Sequence, residues 1–215
     1  MIDLISGSDT ADLHGLAHSA VPWLIDSGEP YFRRLFADYI TEEVLNWSLR
    51  PNSELYLGGA RLLLDRSCAC IGGHISMKGS LVASRRRADA VSYLWEHREG
   101  AEGERRRRFL DDTAGFFGVV PQDAFYLSKI GLLPEHRRAG HGGMLLEDVT
   151  RLAREAGCSS VFLHVAADAT ARYFYKRSGF EEVTEHINVP HSLSYISMSL
   201  SVGAPSAVRR ESMGD

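Results

Sequence analysis

Long apolar runs and leader-like segments are missing from this 215-residue chain. A membrane-spanning helix needs about eighteen or more apolar residues in succession, and no such run occurs. Residues 1–5 lack the basic and long apolar regions of a signal peptide. From these absences we expect a cytoplasmic protein without a membrane partner.

Cysteine is also scarce, and the chain has no net positive charge. Cys68, Cys70 and Cys158 are an odd set without metal-ligand spacing, so we expect neither disulfides nor a bound metal such as zinc. The 24 basic and 28 acidic residues give a net charge of −4, which argues against general nucleic-acid binding. Two local arginine runs, residues 85–87 and 105–108, are interpreted as solvated helical faces, with RNA or phosphate binding as the alternative.

Apolar residues make up 44% of the chain, enough for one domain over residues 1–201, followed by a frayed tail at 202–215. Apolar runs and alternation predict strands at residues 1–6, 55–64, 69–77, 125–133, 161–165, 182–187 and 193–200, with a bulge at Gly72-Gly73. Helical spacing predicts helices from Ser8 or Asp9 to 25, from 29 to 47, at 142–156 with Gly157 as C-cap, and at 168–177. The polar and basic segment 79–123 is predicted to form a helical insertion between the third and fourth strands.

The most informative segment joins the strand at 125–133 to the helix at 142–156. It reads Pro134-Glu135-His136-Arg137-Arg138-Ala139-Gly140-His141-Gly142-Gly143. Its glycines permit left-handed backbone angles and close approach to a ligand, and unpaired N–H groups of the first helical turn point outward. Such a turn is expected to bind an anion, so a phosphate-bearing cofactor is the first hypothesis. The Gly-Lys-Ser/Thr ending of a P-loop and the glycine spacing of a Rossmann turn are both missing.

The chain resembles the GNAT superfamily of acyl-CoA-dependent N-acyltransferases. The family signature Arg/Gln-x-x-Gly-x-Gly/Ala is matched by Arg137, Gly140 and Gly142, and an apolar-x-Pro-x-x-Arg approach precedes it. The segment from Tyr175 to Phe180 matches the family's Tyr-x-x-x-Gly-Phe close. The resemblance is strong over residues 124–187. In the helices and the hairpin before residue 124, only the order of the predicted elements resembles the family. It implies an α/β fold with a mixed, mostly antiparallel central sheet of about seven strands flanked by helices.

The resemblance also implies where an acyl-CoA donor binds. The pyrophosphate is expected on the turn, which comprises Arg137, Arg138, Ala139, Gly140, His141, Gly142 and Gly143. The pantetheine is expected along Ile130, Gly131 and Leu132, where a backbone N–H would hold the oxyanion. Asp168 lies seven residues before Tyr175, at the position of a family Asn, in a loop one residue shorter. It is therefore interpreted either as a cofactor contact or as a plain N-cap.

Tyr175 matches the family's acid, which would protonate the leaving thiolate; packing beside Phe174 is the alternative. Strand alternation puts Tyr126, Ser128, Ile130 and Leu132 on one face of their strand and Leu127, Lys129 and Gly131 on the other. The first face offers Tyr126 and Ser128 as catalytic groups in place of a carboxylate or imidazole, so a water relay is favoured as the base. His74 and His164 are rival candidates for the base, but each is better interpreted as a buried histidine with satisfied hydrogen bonds in the core.

The resulting prediction is transfer of an acetyl or other short acyl group from acyl-CoA to a primary amine of a small molecule, by direct attack in a ternary complex. An antibiotic, a polyamine and an amino-acid derivative are all open as acceptors. The alternatives are a protein or aminoacyl-tRNA acceptor contacted by the arginine runs, and a non-catalytic CoA-binding module. The acceptor site is expected among residues 26–39, 78–122 and 186–195, where Trp95, Phe109, Phe116 and Phe117 either form a lid or pack as ordinary helix residues. The oligomeric state stays open, with a homodimer as one option.

Overall fold

The computed structural model describes residues 2–203, and its centre is one seven-stranded sheet. The strand order is β1-β2-β3-β4-β5-β7-β6, and only the β4–β5 pair is parallel. The mixed, mostly antiparallel sheet predicted from the sequence is therefore confirmed. The strands are β1 (Asp3–Ser6), β2 (Ala60–Leu64), β3 (Cys70–Lys78), β4 (Phe125–Leu132), β5 (Ser160–Ala166), β6 (Glu181–Asn188) and β7 (Leu193–Ser201).

Seven helices of the described residues cover the sheet: α1 (Leu13–Gly28), α2 (Tyr31–Phe36), α3 (Ile40–Ser48), α4 (Gly79–Glu96), α5 (Gly100–Asp112), α6 (His141–Glu155) and α7 (Ala171–Arg177). None of them is both long and apolar enough to cross a membrane. Helix α1 starts later than predicted because Asp12, rather than Ser8 or Asp9, caps it by accepting the N–H of Gly15 at 2.8 Å. The helix predicted over residues 29–47 is divided into α2 and α3, since Ala37 adopts a positive φ of 49°.

The two faces of the sheet bury two separate apolar clusters. One cluster packs α1, α2 and α3 with the α4–α5 insertion, and it includes Trp23, Phe36 and Tyr126. The other packs α6 and α7 on the opposite face, and it includes Val149 and Tyr175. Because alternate strand residues point to opposite faces, β4 and β5 contribute side chains to both clusters.

A register shift in β4 changes which residues share a face. Ile75 of β3 pairs with Lys129, whereas the next residue, Ser76, pairs with Leu127, so Ser128 is the extra residue of a β-bulge. Beyond Ser128 the alternation is reversed. The prediction that Ile130 shares the face of Tyr126 is therefore wrong: Ile130 packs with the α6 and α7 cluster, while Lys129 lies over the Phe32 ring of α2.

The other irregularities lie near the edges. The β2–β3 register shifts at Ile71, immediately before the predicted bulge at Gly72-Gly73. Residues 57–59 form a 3₁₀ turn, so β2 begins five residues later than predicted. Val202 is buried, and its N–H donates to the Ser159 carbonyl at 3.0 Å. The rest of the predicted tail, residues 204–215, lies outside the described residues.

Candidate active site

The centre of the sheet opens between β4 and β5. These parallel strands pair only from Phe125 to Leu127 and from Val161 to Leu163. They then continue to Leu132 and Ala166 without pairing with one another, although β3 and β7 still pair with their outer edges. The inner edge of β4 beyond Leu127 therefore has backbone groups available to an extended ligand.

The glycine turn lies at the end of this open edge. Gly140 is the N-cap of α6 with a φ of 86°, and Arg138 has a φ of 63°. Gly142 and Gly143 lie inside the first turn of α6 and not in the left-handed region, so of the three glycines only Gly140 uses the left-handed angles that glycine permits. Across the described residues, no backbone N–H from 138 to 142 donates to a protein acceptor, so these donors and the helix dipole are available to an anion.

Arg137 and Asp168 lie beside the opening with different surroundings. The Arg137 guanidinium donates to the Leu132 carbonyl and to the Asp26 carboxylate, both at 2.9 Å, so it holds the end of β4 against α1. Asp168 is exposed in the loop after β5. It does not cap α7, because that helix starts at Ala171 after Thr170 and has no side-chain cap. The N-cap interpretation of Asp168 is therefore wrong.

Tyr175 lies on the α7 side of the opening, packed edge-on against Phe180 and tilted against Phe174. It is 7% exposed. Burial, and to a lesser degree the neighbouring Tyr126 phenol, raise the pKa of Tyr175 above its ordinary value. The phenol is therefore neutral at pH 7 and retains a proton to donate.

A cavity of about 630 Å³ lies on the other side of the opening. It reaches both strands of the gap, through Tyr126, Ser128 and Lys129 of β4 and His164 of β5. Its remaining walls come from the end of α1, α2, α3, the loop before β2, α4, α5 with the loop after it, and β7. Its larger aromatic lining residues on these elements are Tyr31, Phe32, Trp47, Phe116, Phe117 and Tyr195. Residues from all three segments expected to hold the acceptor surround or approach this space: Tyr31 and Phe117 line it, and the His186 ring lies 5.6 Å from that of His164.

A continuous hydrogen-bond chain crosses the cavity wall. His164 Nε2 must donate to the Phe117 carbonyl at 2.8 Å, so Nδ1 accepts the Tyr126 hydroxyl at 3.1 Å. The Tyr126 oxygen accepts from Arg86 Nη2 at 2.6 Å, and Arg86 Nε donates to Glu54 at 2.8 Å. Ser128 completes the chain, since its hydroxyl donates to the second Glu54 oxygen at 2.6 Å. The two candidate catalytic residues on β4, Tyr126 and Ser128, therefore belong to one network.

The two carboxyl groups of this wall have opposite pKa shifts. Burial alone would raise the pKa of Glu54, but the charges of Arg86 and Lys129 hold it at about 2, so Glu54 is ionised and a weak base. Asp89 of α4 accepts the N–H of Glu54 at 2.9 Å. Burial raises the pKa of Asp89 to about 7, despite hydrogen bonds from Glu54 and Ser53 that favour its charged form.

The two rival histidines differ in position. His74 is fully buried under α6, between Asp148 at 3.0 Å and Ser76 at 3.2 Å, which is the arrangement of a satisfied core residue. His164 lines the cavity instead. Burial and the Arg86 charge lower the pKa of His164 to about 3, so its ring is neutral.

The arginine run of α5 is not a uniform solvated face. Arg106 is 1% exposed, with its guanidinium over Tyr93 and Tyr39, and Arg105 donates to Glu102 and to the Arg34 carbonyl. Only Arg107 and Arg108 of the run are exposed. Trp95 is also exposed, whereas Phe116 and Phe117 line the cavity and Phe109 packs on Tyr31.

The cavity also contains charged groups that are not among the predicted site residues: Glu54, Arg86, Asp89 and Lys129. Glu54 lies in the loop before β2, and nothing local in the sequence marks that loop. Arg86 was grouped with a solvated arginine run, although it lies three residues before the acidic Asp89, on the face of α4 that turns inward. In the sequence, the only sign of this inward face is that the acidic Asp89 follows the basic residues 85–87 within the same predicted helix.

Comparisons with known proteins agree with this architecture. A family model described as Acetyltransferase (GNAT) family matches residues 83–180, which run from within α4 through α5, β4, the glycine turn, α6 and β5 to just past the end of α7. No curated protein matches the chain significantly in sequence.

Solved structures share the fold at low sequence identity. The structure of SsHAT is 19% identical with a TM-score of 0.61, and the match covers 94% of this chain and 98% of that one. An N-acetyltransferase from Staphylococcus aureus Mu50 is 15% identical with a TM-score of 0.59, covering 93% and 100%. The ribosomal-protein-S18-alanine N-acetyltransferase from Escherichia coli is 15% identical with a TM-score of 0.51, covering 97% and 98%. Residues 83–180 thus match the GNAT acetyltransferase family model, and the chain shares the fold of these acetyltransferase structures.

Proposed function

We propose that this protein transfers an acetyl or other short acyl group from acyl-CoA to a primary amine of a small molecule. The observation that carries this proposal is the cavity beside the β4–β5 opening, because it joins a site for an extended donor to an enclosed site for an acceptor. Its volume of about 630 Å³ lies in the range of small-molecule pockets.

The donor is assigned to the turn and the open strand edge. The free N–H groups of residues 138–142 suit the pyrophosphate, with Gly143 leaving space beside them. The pantetheine would pair with β4 at Ile130, Gly131 and Leu132, as a strand pairs with an unoccupied edge. The exposed Asp168 stays a candidate contact at the far side of the opening, where an anion suits the N–H groups of the pantetheine.

The reaction joins the amine nitrogen to the thioester carbonyl carbon, and the carbon–sulfur bond breaks. Neutralising an amine of pKa about 10.4 at pH 7 costs roughly 4.6 kcal/mol, so proton removal through water along the Ser128 and Tyr126 wall would help. Tyr175 would then give its proton to the leaving thiolate, because its raised pKa keeps the phenol neutral until the sulfur becomes charged.

The test compares two tyrosines of the same helix. Thiol release from acetyl-CoA is measured over a panel of amines, together with the mass of the acylated product. Tyr175→Phe is expected to lower kcat by roughly 10²- to 10⁴-fold, the usual contribution of a positioned acid. Tyr173→Phe, a change at a 69% exposed residue, is the matched control and should behave as wild type.

A second variant tests the donor site. Gly142→Glu would place a negative charge in the turn and should raise the KM for acetyl-CoA. Wild-type rates in both Tyr175→Phe and Gly142→Glu would show that the assigned site is wrong. Acetyl-CoA binding without turnover on any amine would instead support a non-catalytic CoA-binding module.

A protein or aminoacyl-tRNA acceptor is the second candidate, suggested by exposed arginines on α5. It is less well supported, because Arg105 and Arg106 are engaged within the protein. Replacing Arg107 and Arg108 by Glu should reduce use of a macromolecular acceptor and leave small amines unaffected. Equal loss with both acceptor types would count against this alternative.

A further inference from the structure

We infer that the acceptor is an amino acid or a related amine with a carboxylate close to its amino group, and that Lys129 binds this carboxylate. The inference rests on the proposed function and narrows its acceptor class. It follows from the charges of the cavity wall, the unsatisfied donors of Lys129 and the position of Lys129 in β4.

The cavity wall carries more positive than negative charge, although the whole chain has a net charge of −4. Its cations are Arg86, Arg87 and Lys129, and its carboxyl groups are Glu54 and Asp89. The pKa of Asp89 is raised to about 7, so this group is only partly ionised at neutral pH. His164 is neutral there because its pKa is lowered to about 3.

The Glu54 charge is already balanced and hydrogen-bonded. Its two oxygens accept from Arg86 and Ser128, and its backbone N–H donates to Asp89. A positively charged substrate group would have to compete with Arg86 for this carboxylate. Glu54 is therefore a poor site for a substrate ammonium.

Lys129 is different, because its charge lacks a direct partner. Its Nζ donates to the Ser128 carbonyl at 3.1 Å and lies 5.0 Å from the centre of the Phe32 ring. Within residues 2–203 no carboxylate oxygen comes within 4.0 Å of Nζ. An ammonium has three N–H donors, so two remain for a ligand. A carboxylate that enters the cavity would satisfy both the charge and these donors.

The bulge at Ser128 brings this cation into the acceptor cavity. Without the bulge, Lys129 would point to the opposite face of β4 from Tyr126. With it, Lys129 borders the strand segment assigned to the pantetheine. A carboxylate on Lys129 would hold a neighbouring amino group near the thioester, and the positive wall would favour the neutral, nucleophilic form of that amine.

The same arrangement disfavours polycations. Polyamines and aminoglycosides would bring several ammonium groups toward Arg86, Arg87 and Lys129, and like charges in an enclosed site repel. The aromatic walls at Tyr31, Phe116 and Phe117 suit an apolar side chain. The wall therefore selects an amino acid with an apolar side chain over a polyamine.

The experiment uses amines matched except for the carboxylate. L-Phenylalanine is compared with phenethylamine, and L-leucine with isoamylamine; spermidine represents polycations. With acetyl-CoA and the wild-type protein, kcat/KM should be at least tenfold higher for each amino acid than for its matched amine, and lowest for spermidine. Lys129→Met should reduce the ratio within each pair at least tenfold, and Lys129→Arg should largely preserve it. Lys78→Met removes an exposed lysine outside the cavity and should change nothing.

Binding of the acylated product provides a readout without turnover. By calorimetry in the presence of CoA, N-acetyl-phenylalanine should bind the wild type at least tenfold more tightly than Lys129→Met, with folding of the variant checked by circular dichroism. Lys129-dependent binding without any turnover would refute the proposed function and leave standing only the assignment of Lys129 as a carboxylate-binding residue. Turnover of phenethylamine or spermidine as efficient as that of phenylalanine would overturn the inference alone. Absence of both binding and turnover with the amino acids would overturn it as well.

Discussion

Asp89 makes the stability of the protein depend on pH in a direction opposite to that of most carboxylates. The side chain is 5% exposed in the wall of the cavity and accepts the N–H of Glu54. Burial raises its pKa from 3.8 to about 7. Ionising this buried carboxyl at higher pH lowers the free energy of unfolding. We predict that Asp89→Asn removes this pH-dependent loss, because an amide oxygen can still accept the Glu54 N–H.

The sign and size follow from proton linkage. The folded state holds the Asp89 proton more tightly than the unfolded state, so the stabilisation is complete below about pH 4 and is lost as the pH rises through about 7. A rise in pKa from 3.8 to about 7 corresponds to about 4 kcal/mol of unfolding free energy, of which roughly 2–3 kcal/mol falls between pH 5 and pH 8. The advantage of Asp89→Asn over wild type should grow by that amount over this range.

Urea unfolding at pH 5 and pH 8 measures this difference directly. Asp148→Asn is the matched control, since His74, Arg151 and Arg61 lower the pKa of Asp148 against the opposing effect of burial. That variant should be destabilised at pH 8 and progressively less so as the pH falls through the acidic range. A difference between Asp89→Asn and wild type that stays constant from pH 5 to pH 8 would contradict a raised pKa of Asp89.

Three further substitutions separate stability from donor binding. Gly143→Ala should stabilise α6 by up to about 1 kcal/mol, because its new Cβ meets no atom within 4 Å, yet weaken acetyl-CoA binding; calorimetry showing unchanged affinity would argue against a donor at this turn. Gly72→Ala would place a Cβ 2.5 Å from the Gly131 carbonyl oxygen of β4, so we expect a loss of roughly 1–3 kcal/mol in urea unfolding and weaker donor binding. Leu24→Ala, at a fully buried position of α1, should cost roughly 2–5 kcal/mol, and a loss below about 1 kcal/mol would contradict its place in the core.

The elements with local signals were predictable from the sequence. Helix α6 differs from its predicted range by one residue at each end, and Gly157 adopts the expected left-handed angle after it with a φ of 73°. The turn around Gly140 was also recognisable, because glycines at a helix start have few other uses than close packing or anion binding. Hydrophobic periodicity and helix caps depend on residues only a few positions apart, so a single segment of sequence is enough to predict them.

The acceptor side depended on tertiary contacts and could not be predicted in the same way. The bulge at Ser128 arises from the register of β3 against β4, and it moves Lys129 into the cavity although simple alternation excludes it. Glu54 joins the hydrogen-bond network of the cavity wall only because α4 places Arg86, which lies 32 residues later in the sequence, next to its carboxylate. The break at Ala37 similarly divides a continuous apolar stripe that reads as one helix.

The placement of the donor is tested most directly by a crystal structure of the protein with acetyl-CoA. We expect the pyrophosphate within hydrogen-bond distance of the N–H groups of residues 138–142. We also expect the pantetheine along residues 130–132 in the β4–β5 opening, with the thioester facing the cavity and its sulfur beside Tyr175. A donor bound elsewhere, or an opening closed by continued pairing of β4 with β5, would contradict this placement.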